Sequence, residues 1–256
     1  MAEGLTPETR RTLGGATLHI LADPVLTAEA AARHVAALAD RAIGERGRFR
    51  VALAGGTTPR ATYERLARGD LPIDWTRVSV FFGDERMVSP VDPKSNYRMA
   101  REALLDRVPI PEAAVHRIPG ELPPEAAVQR YADLLGDSPL DLVLLGMGDD
   151  GHVASLFPGG PEVESSARVL HSRAPVSPHE RISIGFSVIA SARAVALLVT
   201  GTTKAARVRE VFDERARGAP RLPAARVAPA RGTLDWFLDA AAASELPGLP
   251  AKDASR

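Results

Sequence analysis

The run Asp141-Leu-Val-Leu-Leu-Gly-Met-Gly-Asp-Asp-Gly-His-Val-Ala-Ser-Leu-Phe-Pro158 constrains this chain more than any other segment. Residues 142–145 have no polar position. As a strand they must be covered on both faces, the situation of a parallel sheet flanked by helices. The apolar run then stops at glycine, and two carboxylates and a histidine follow. In open α/β sheets, ligands bind beyond the carboxyl ends of the strands, where a rigid strand holds a loop in contact with water.

Elsewhere, short apolar runs alternate with helical periodicity. Ala16–Leu21, Val51–Ala54, Val78–Phe82 and Val195–Thr200 read as strands, and Ile182, Ile184 and Phe186 alternate at period two as an edge or half-exposed strand. Helices are predicted over Thr27–Glu45, Pro59–Arg68, Ser95–Leu105 and Pro124–Leu135, through Ala205, Val208 and Phe212, and over Leu234–Ala243. The second has Thr58 as its expected N-cap, Pro59 in its first position and Gly69 at its end. This alternation predicts a doubly wound α/β fold, a mainly parallel sheet with helices on both faces, in a single domain. The domain is expected to span residues 13–243; the polar or Pro/Gly-rich segments 1–12 and 244–256 are expected to be flexible.

Composition narrows the function. The 32 basic and 32 acidic residues cancel, which argues against a nucleic acid or a membrane surface held by bulk charge. The absence of cysteine removes disulfides, thiolate metal sites and cysteine nucleophiles. No stretch has the length of a membrane span and the first residues lack an apolar signal core, so a cytoplasmic location is expected, with no obligate protein partner. Lysine occurs only at 94, 204 and 252, so a lysine inside a motif stands out.

Four apolar runs lead into polar turns: Gly55-Gly-Thr-Thr-Pro59, Gly83-Asp-Glu-Arg86, Gly146-Met-Gly-Asp-Asp-Gly-His152 and Thr200-Gly-Thr-Thr-Lys204. If the strands are parallel, all four meet at one edge of the sheet. The first, opening a helix, suits a phosphate: glycines permit close approach, and free N–H groups and the helix dipole favour an anion. Taken alone it reads equally as an ordinary turn. Lys204 begins another helix after a matching Gly-Thr-Thr turn and is placed to add a point charge. Arg86 reads as a second phosphate ligand or an oxyanion stabiliser, or as part of a plain charged turn with Asp84 and Glu85. Asp92, Ser95 and Asn96 offer hydroxyl-binding groups for a polyol.

His152 differs from His19, His34, His116, His171 and His179 in following Asp149 and Asp150 within a glycine-framed loop. A neighbouring carboxylate orients an imidazole and suits it to act as a general base. No second histidine stands at ligand spacing, so no metal is expected. Gly146-Met-Gly-Asp-Asp-Gly151 matches a dinucleotide fingerprint by accident: two carboxylates would face the pyrophosphate, and Pro158-Gly-Gly-Pro161 cuts short the helix that should follow. A serine-hydrolase elbow is missing, and Ser155 has no such context.

These motifs resemble those of the sugar-phosphate family that contains 6-phosphogluconolactonases and glucosamine-6-phosphate deaminases. The resemblance runs from about Leu13 to Ala243. It rests on Gly55–Pro59, on Gly83–Arg86 with Ser95-Asn96, on Asp150–Pro158, on Val199–Ala205 and on Leu234–Ala240. It implies a doubly wound α/β fold and no cofactor, with phosphate held by Gly55, Gly56, Thr57, Thr58 and Lys204 and substrate contacts from Asp84, Arg86 and Asn96. It further implies His152 as base, oriented by Asp150. The chain departs from the family at Val153, Asp149 and Ala54, where many members carry threonine, proline and serine. A deaminase needs further acid/base groups, including a glutamate five residues after the histidine, where this chain has Phe157; it also carries an aromatic where Arg86 stands. The resemblance therefore implies hydrolysis of 6-phospho-D-glucono-1,5-lactone to 6-phospho-D-gluconate, a step of the oxidative pentose phosphate pathway. The alternatives are a deaminase or isomerase, and a non-catalytic sugar-phosphate sensor.

Overall fold

The computed structural model describes residues 8–247. Seven strands form one sheet: β1 (Thr9–Leu13), β2 (Ala16–Leu21), β3 (Phe49–Leu53), β4 (Val78–Phe82), β6 (Leu142–Leu145), β9 (Ala194–Val199) and β10 (Thr233–Asp239). Their order is β1-β2-β10-β9-β6-β3-β4. Only β1, paired with β2, is antiparallel; every other pairing is parallel. β3, β6 and β9 are buried along their whole length, as strands covered on both faces must be. A second, antiparallel sheet joins β5 (Asp84–Arg86), β8 (Glu180–Ile184) and β7 (Val169–Arg173) in the order β5-β8-β7.

The helices are α1 (Pro24–Arg46), α2 (Thr57–Leu66), α3 (Asn96–Ala103), α4 (Pro124–Leu135), α5 (Phe186–Ser191), α6 (Ala205–Arg217), α7 (Pro223–Arg226) and α8 (Ala240–Ala243). α1 shows how local chemistry sets the ends. Asp23 accepts from the Leu26 N–H at 2.8 Å, Pro24 occupies the first turn, and Gly47 takes the left-handed φ of +72° that stops the helix. Its inward face is mostly alanine, which lets it lie close to α2 and to β10.

The chain enters the parallel part of the sheet at β2, crosses to β3, moves outward to β4, then reverses to β6 on the other side of β3. This reversal opens a crevice between β3 and β6 at their carboxyl ends, where open α/β sheets bind ligands. The loop after β3 carries Gly55, Gly56, Thr57 and Thr58, and the loop after β6 carries Asp150 and His152.

Several sequence expectations change. Leu234–Ala243 is not a helix: Thr233–Asp239 is β10, and only Ala240–Ala243 is helical. The four-residue spacing of Asp235 and Asp239 mimics a polar helical stripe, but β10 lies between β2 and β9 with both faces covered. Both carboxylates are satisfied there, Asp235 by His19 (2.9 Å) and Asp239 by the Gly201 and Ala242 N–H groups (3.0 and 2.7 Å). β8 is the middle strand of the small sheet rather than an edge, and it ends at Ile184; Phe186 starts α5. β1, β5 and β7 have no counterpart in the sequence reading. The segment 1–12 expected to be flexible already contains most of β1, which pairs with β2 from Thr9, and in 244–256 Leu246 is buried. The remaining parts of those segments, 1–7 and 248–256, lie outside the described residues. No described helix is long and apolar enough to cross a membrane.

Candidate active site

The loops after β3, β4, β6 and β9 converge on one open cavity of about 230 Å³. Gly55, Gly56, Thr57, Thr58, Asp84, Arg86, Asn96, His152 and Lys204 all line it. Among the candidates from sequence, Asp150 stands behind His152, and Asp92 is used elsewhere: its carboxylate accepts from the Lys94 N–H at 2.7 Å and closes a turn.

Two buried tyrosines fix the first two loops. The Tyr63 hydroxyl, from α2, accepts from the Ala54 N–H at 2.8 Å and donates to the Ala54 carbonyl at 2.9 Å. The Tyr131 hydroxyl, from α4, does the same at Phe82, at 2.7 Å in both directions. Each satisfies the backbone pair at a strand end, where ladder hydrogen bonds run out. Burial drives both phenols above their ordinary value, so they remain neutral and able to donate.

α2 starts two residues earlier than its sequence suggests. Gly56, with φ of +103°, is the N-cap, and Thr58 lies in the first turn rather than capping it. The Thr58 hydroxyl instead shares a 2.8 Å hydrogen bond with that of Thr200, tying the β3 and β9 loops together. Gly55 must be glycine on steric grounds, since a Cβ would lie 2.1 Å from Asn96 Oδ1. The start of α2 thus presents exposed Gly56 and Thr57 with N–H groups that have no acceptor within the helix.

The floor of the cavity is a polar lattice. Asn96 Nδ2 donates to the Asp84 carbonyl at 2.9 Å and its Oδ1 at 3.1 Å, and Ser155 Oγ donates to Asp84 Oδ2 at 2.6 Å. Ser155 is therefore a buried strut. Glu85, unassigned in the sequence reading, accepts from the N–H groups of Arg86, Asn96 and Tyr97 and from Ser95 Oγ, all within 2.9 Å. Burial raises its carboxyl above the ordinary value against the pull of these four donors. Arg86 is paired in register with Arg181 of β8, so both lie on one face of the small sheet. Arg181 is buried, and among the described residues its Nε and Nη1 have no partner. Burial, and next the Arg86 charge, lower its pKa. The Asp84 and Glu85 carboxylates oppose that shift, and of the two guanidinium groups Arg86 is the one that lines the cavity.

His152 Nδ1 lies 2.6 Å from Asp150 Oδ1, which also accepts from the His152 N–H at 3.1 Å. Partial burial acts to raise the Asp150 carboxyl, but these bonds and the imidazole charge outweigh it and hold it below its ordinary value. With Nδ1 engaged, Nε2 is the nitrogen available for chemistry. Phe157 packs at 4.8 Å against the imidazole, so the position of the deaminase glutamate holds an apolar ring. Gly148 makes the arrangement possible: a Cβ there would come within 2.2 Å of the His152 ring. Val153, where a family hydroxyl is missing, is wholly buried in the core.

Lys204 Nζ donates to the Met147 carbonyl at 2.8 Å and pairs with Asp149 Oδ1 at 2.6 Å, so the lysine reaches across from the β9 loop to the histidine loop. Among the described residues no group of three or more histidine or acidic side chains is placed to hold a metal ion.

Sequence and fold are both similar to those of known proteins. A 6-phosphogluconolactonase of Synechocystis is 42% identical over 216 residues, covering 80% of this chain and 88% of the relative. One from Mycobacterium leprae is 36% identical over 250 residues, covering 91% and 99%. The crystal structure of 6-phosphogluconolactonase from Thermotoga maritima superposes with a TM-score of 0.78 at 29% identity, covering 87% of this chain and 98% of that one. The sequence pattern of the glucosamine-6-phosphate isomerases/6-phosphogluconolactonase family matches residues 22–236, and this chain belongs to that family.

Proposed function

We propose that the protein hydrolyses 6-phospho-D-glucono-1,5-lactone to 6-phospho-D-gluconate, with His152 as general base and without a metal. The observation that carries the reading is the shared cavity: the Asp150-held imidazole, the N-terminus of α2 and Lys204 face one space. The phosphate docks on Gly56, Thr57 and Thr58, where helix N–H groups and the dipole meet it, and on the Lys204 ammonium. Nε2 of His152 removes a proton from water as the water oxygen attacks C1 of the lactone. The carbonyl electrons move to oxygen, and this oxyanion is stabilised by Arg86 or by loop N–H groups. Collapse breaks the bond between C1 and the ring oxygen, and the imidazolium returns its proton to that oxygen. Asp150 keeps the imidazole oriented throughout and supports its positive charge.

A relative of this family that deaminates an amino sugar needs a further acid/base group beside the histidine; Phe157 supplies none. The reaction class that fits is therefore ester hydrolysis, as in the 6-phosphogluconolactonases to which the chain is similar.

The test is lactone hydrolysis at neutral pH with the spontaneous rate subtracted, in the presence and absence of a chelator, together with an assay of ammonia release from glucosamine 6-phosphate. Lactonase activity that survives chelation and no ammonia release are expected. His152→Ala should lower kcat by about 10²–10⁴. A variant with unchanged kcat would remove the histidine from the mechanism.

A further inference from the structure

Asp149 occupies the position where many family members carry proline, and its carboxylate turns to the phosphate anchor. Its Oδ1 lies 2.6 Å from Lys204 Nζ, while Nζ also donates to the Met147 carbonyl. Two of the three ammonium N–H directions are thus engaged from within the chain. The backbone of Asp149 is held in place by Arg207, whose Nε donates to the Asp149 carbonyl at 3.0 Å. The carboxylate itself is 78% exposed, against 20% for the lysine side chain, so it can swing into water without burying or stranding any group.

We propose that Asp149 is a built-in competitor for Lys204, a resident anion that a phosphorylated ligand must displace. This rests on the reading of Lys204 as the phosphate anchor and adds a residue that sets affinity. A phosphate dianion arriving at the ammonium meets a like charge within contact range, and part of the attraction is spent on separating the existing pair. Substrate and product carry the same phosphate. The competition therefore weakens both, and its signature is in KM and product inhibition rather than in the chemical step.

The experiment compares the wild type, Asp149→Asn, Lys204→Met and the double variant. For each, KM and kcat for the lactone and Ki for inorganic phosphate are measured at low and high ionic strength. Asp149→Asn should lower KM and Ki by about three- to tenfold at low salt, with kcat moving less, and the gain should shrink at high salt. In the Lys204→Met background the same substitution should have little further effect, because the coupling is through the lysine. If Lys204→Met raises Ki but Asp149→Asn leaves it unchanged, the competition is rejected while the anchor stands. A raised Ki in Asp149→Asn means that the carboxylate holds the lysine in place for the anion, and also overturns the proposal. If Lys204→Met leaves both constants untouched, the anchor reading fails, and this inference with it.

Discussion

At the scale of single residues, the proposed chemistry depends on what surrounds His152. Gly148 leaves only enough room for the imidazole and the Asp150 carboxylate to meet. Gly148→Ala should therefore displace the ring and lower kcat by about 10² or more while the fold persists, as expected for a reacting group moved by about 1 Å; circular dichroism and turnover together check this. The Asp150 carboxyl is held below its ordinary value by the bonds from His152, so it stays ionised in mildly acidic solution. Any stability the pair contributes is present above the unfolded aspartate value and is lost only as pH falls through the lower, folded one.

At the scale of elements, helices hold strand ends. α2 and α4 each send a tyrosine hydroxyl to a backbone pair at a strand end, Ala54 just past β3 and Phe82 at the end of β4, so the site loops start from fixed points. Tyr63→Phe leaves the buried Ala54 N–H and carbonyl without this partner. It should cost about 1–3 kcal/mol of stability in urea denaturation. It should also raise KM, because the Gly55–Thr58 loop loses its anchor. A variant that loses stability without any change in KM would show that the loop is held by the Thr58–Thr200 bond instead.

At the scale of the whole molecule, the seam between β2 and β10 joins the first part of the chain to the last. Asp235 of β10 bonds His19 of β2 at 2.9 Å and lies 3.8 Å from His34 of α1, while Glu8 engages the other His19 nitrogen. Burial works against the protonated His19 ring, but the bonds to Asp235 and Glu8 outweigh it and raise its pKa. Asp235 is lowered: its burial is outweighed by the two histidines. The His19 contribution is thus present below the unfolded histidine value and is lost as pH rises through the higher folded one. The Asp235 contribution is lost as pH falls through the lower folded aspartate value. Asp235→Ala should cost about 1–3 kcal/mol in mildly acidic solution, because the charged His19 keeps Glu8 as a partner, and less at high pH where His19 is neutral; denaturation curves at two pH values measure the difference.

The parallel sheet and the four loops at its edge were legible along the chain because each is a local property. Unbroken apolar runs such as Leu142–Leu145 demand cover on both faces, and glycines mark the turns that end them. His152 with Asp150 was legible for the same reason, being two residues apart. The identity of β10, the tyrosine clamps, the pairing of Arg86 with Arg181 and the direction of Asp149 were not. Each depends on a partner far away in the chain: β2 and β9 for the strand, the ends of β3 and β4 for the hydroxyls, β8 for the arginine and the start of α6 for the carboxylate. Periodicity and spacing report what a segment needs from its surroundings; which distant group meets that need is decided only when the strands take their order.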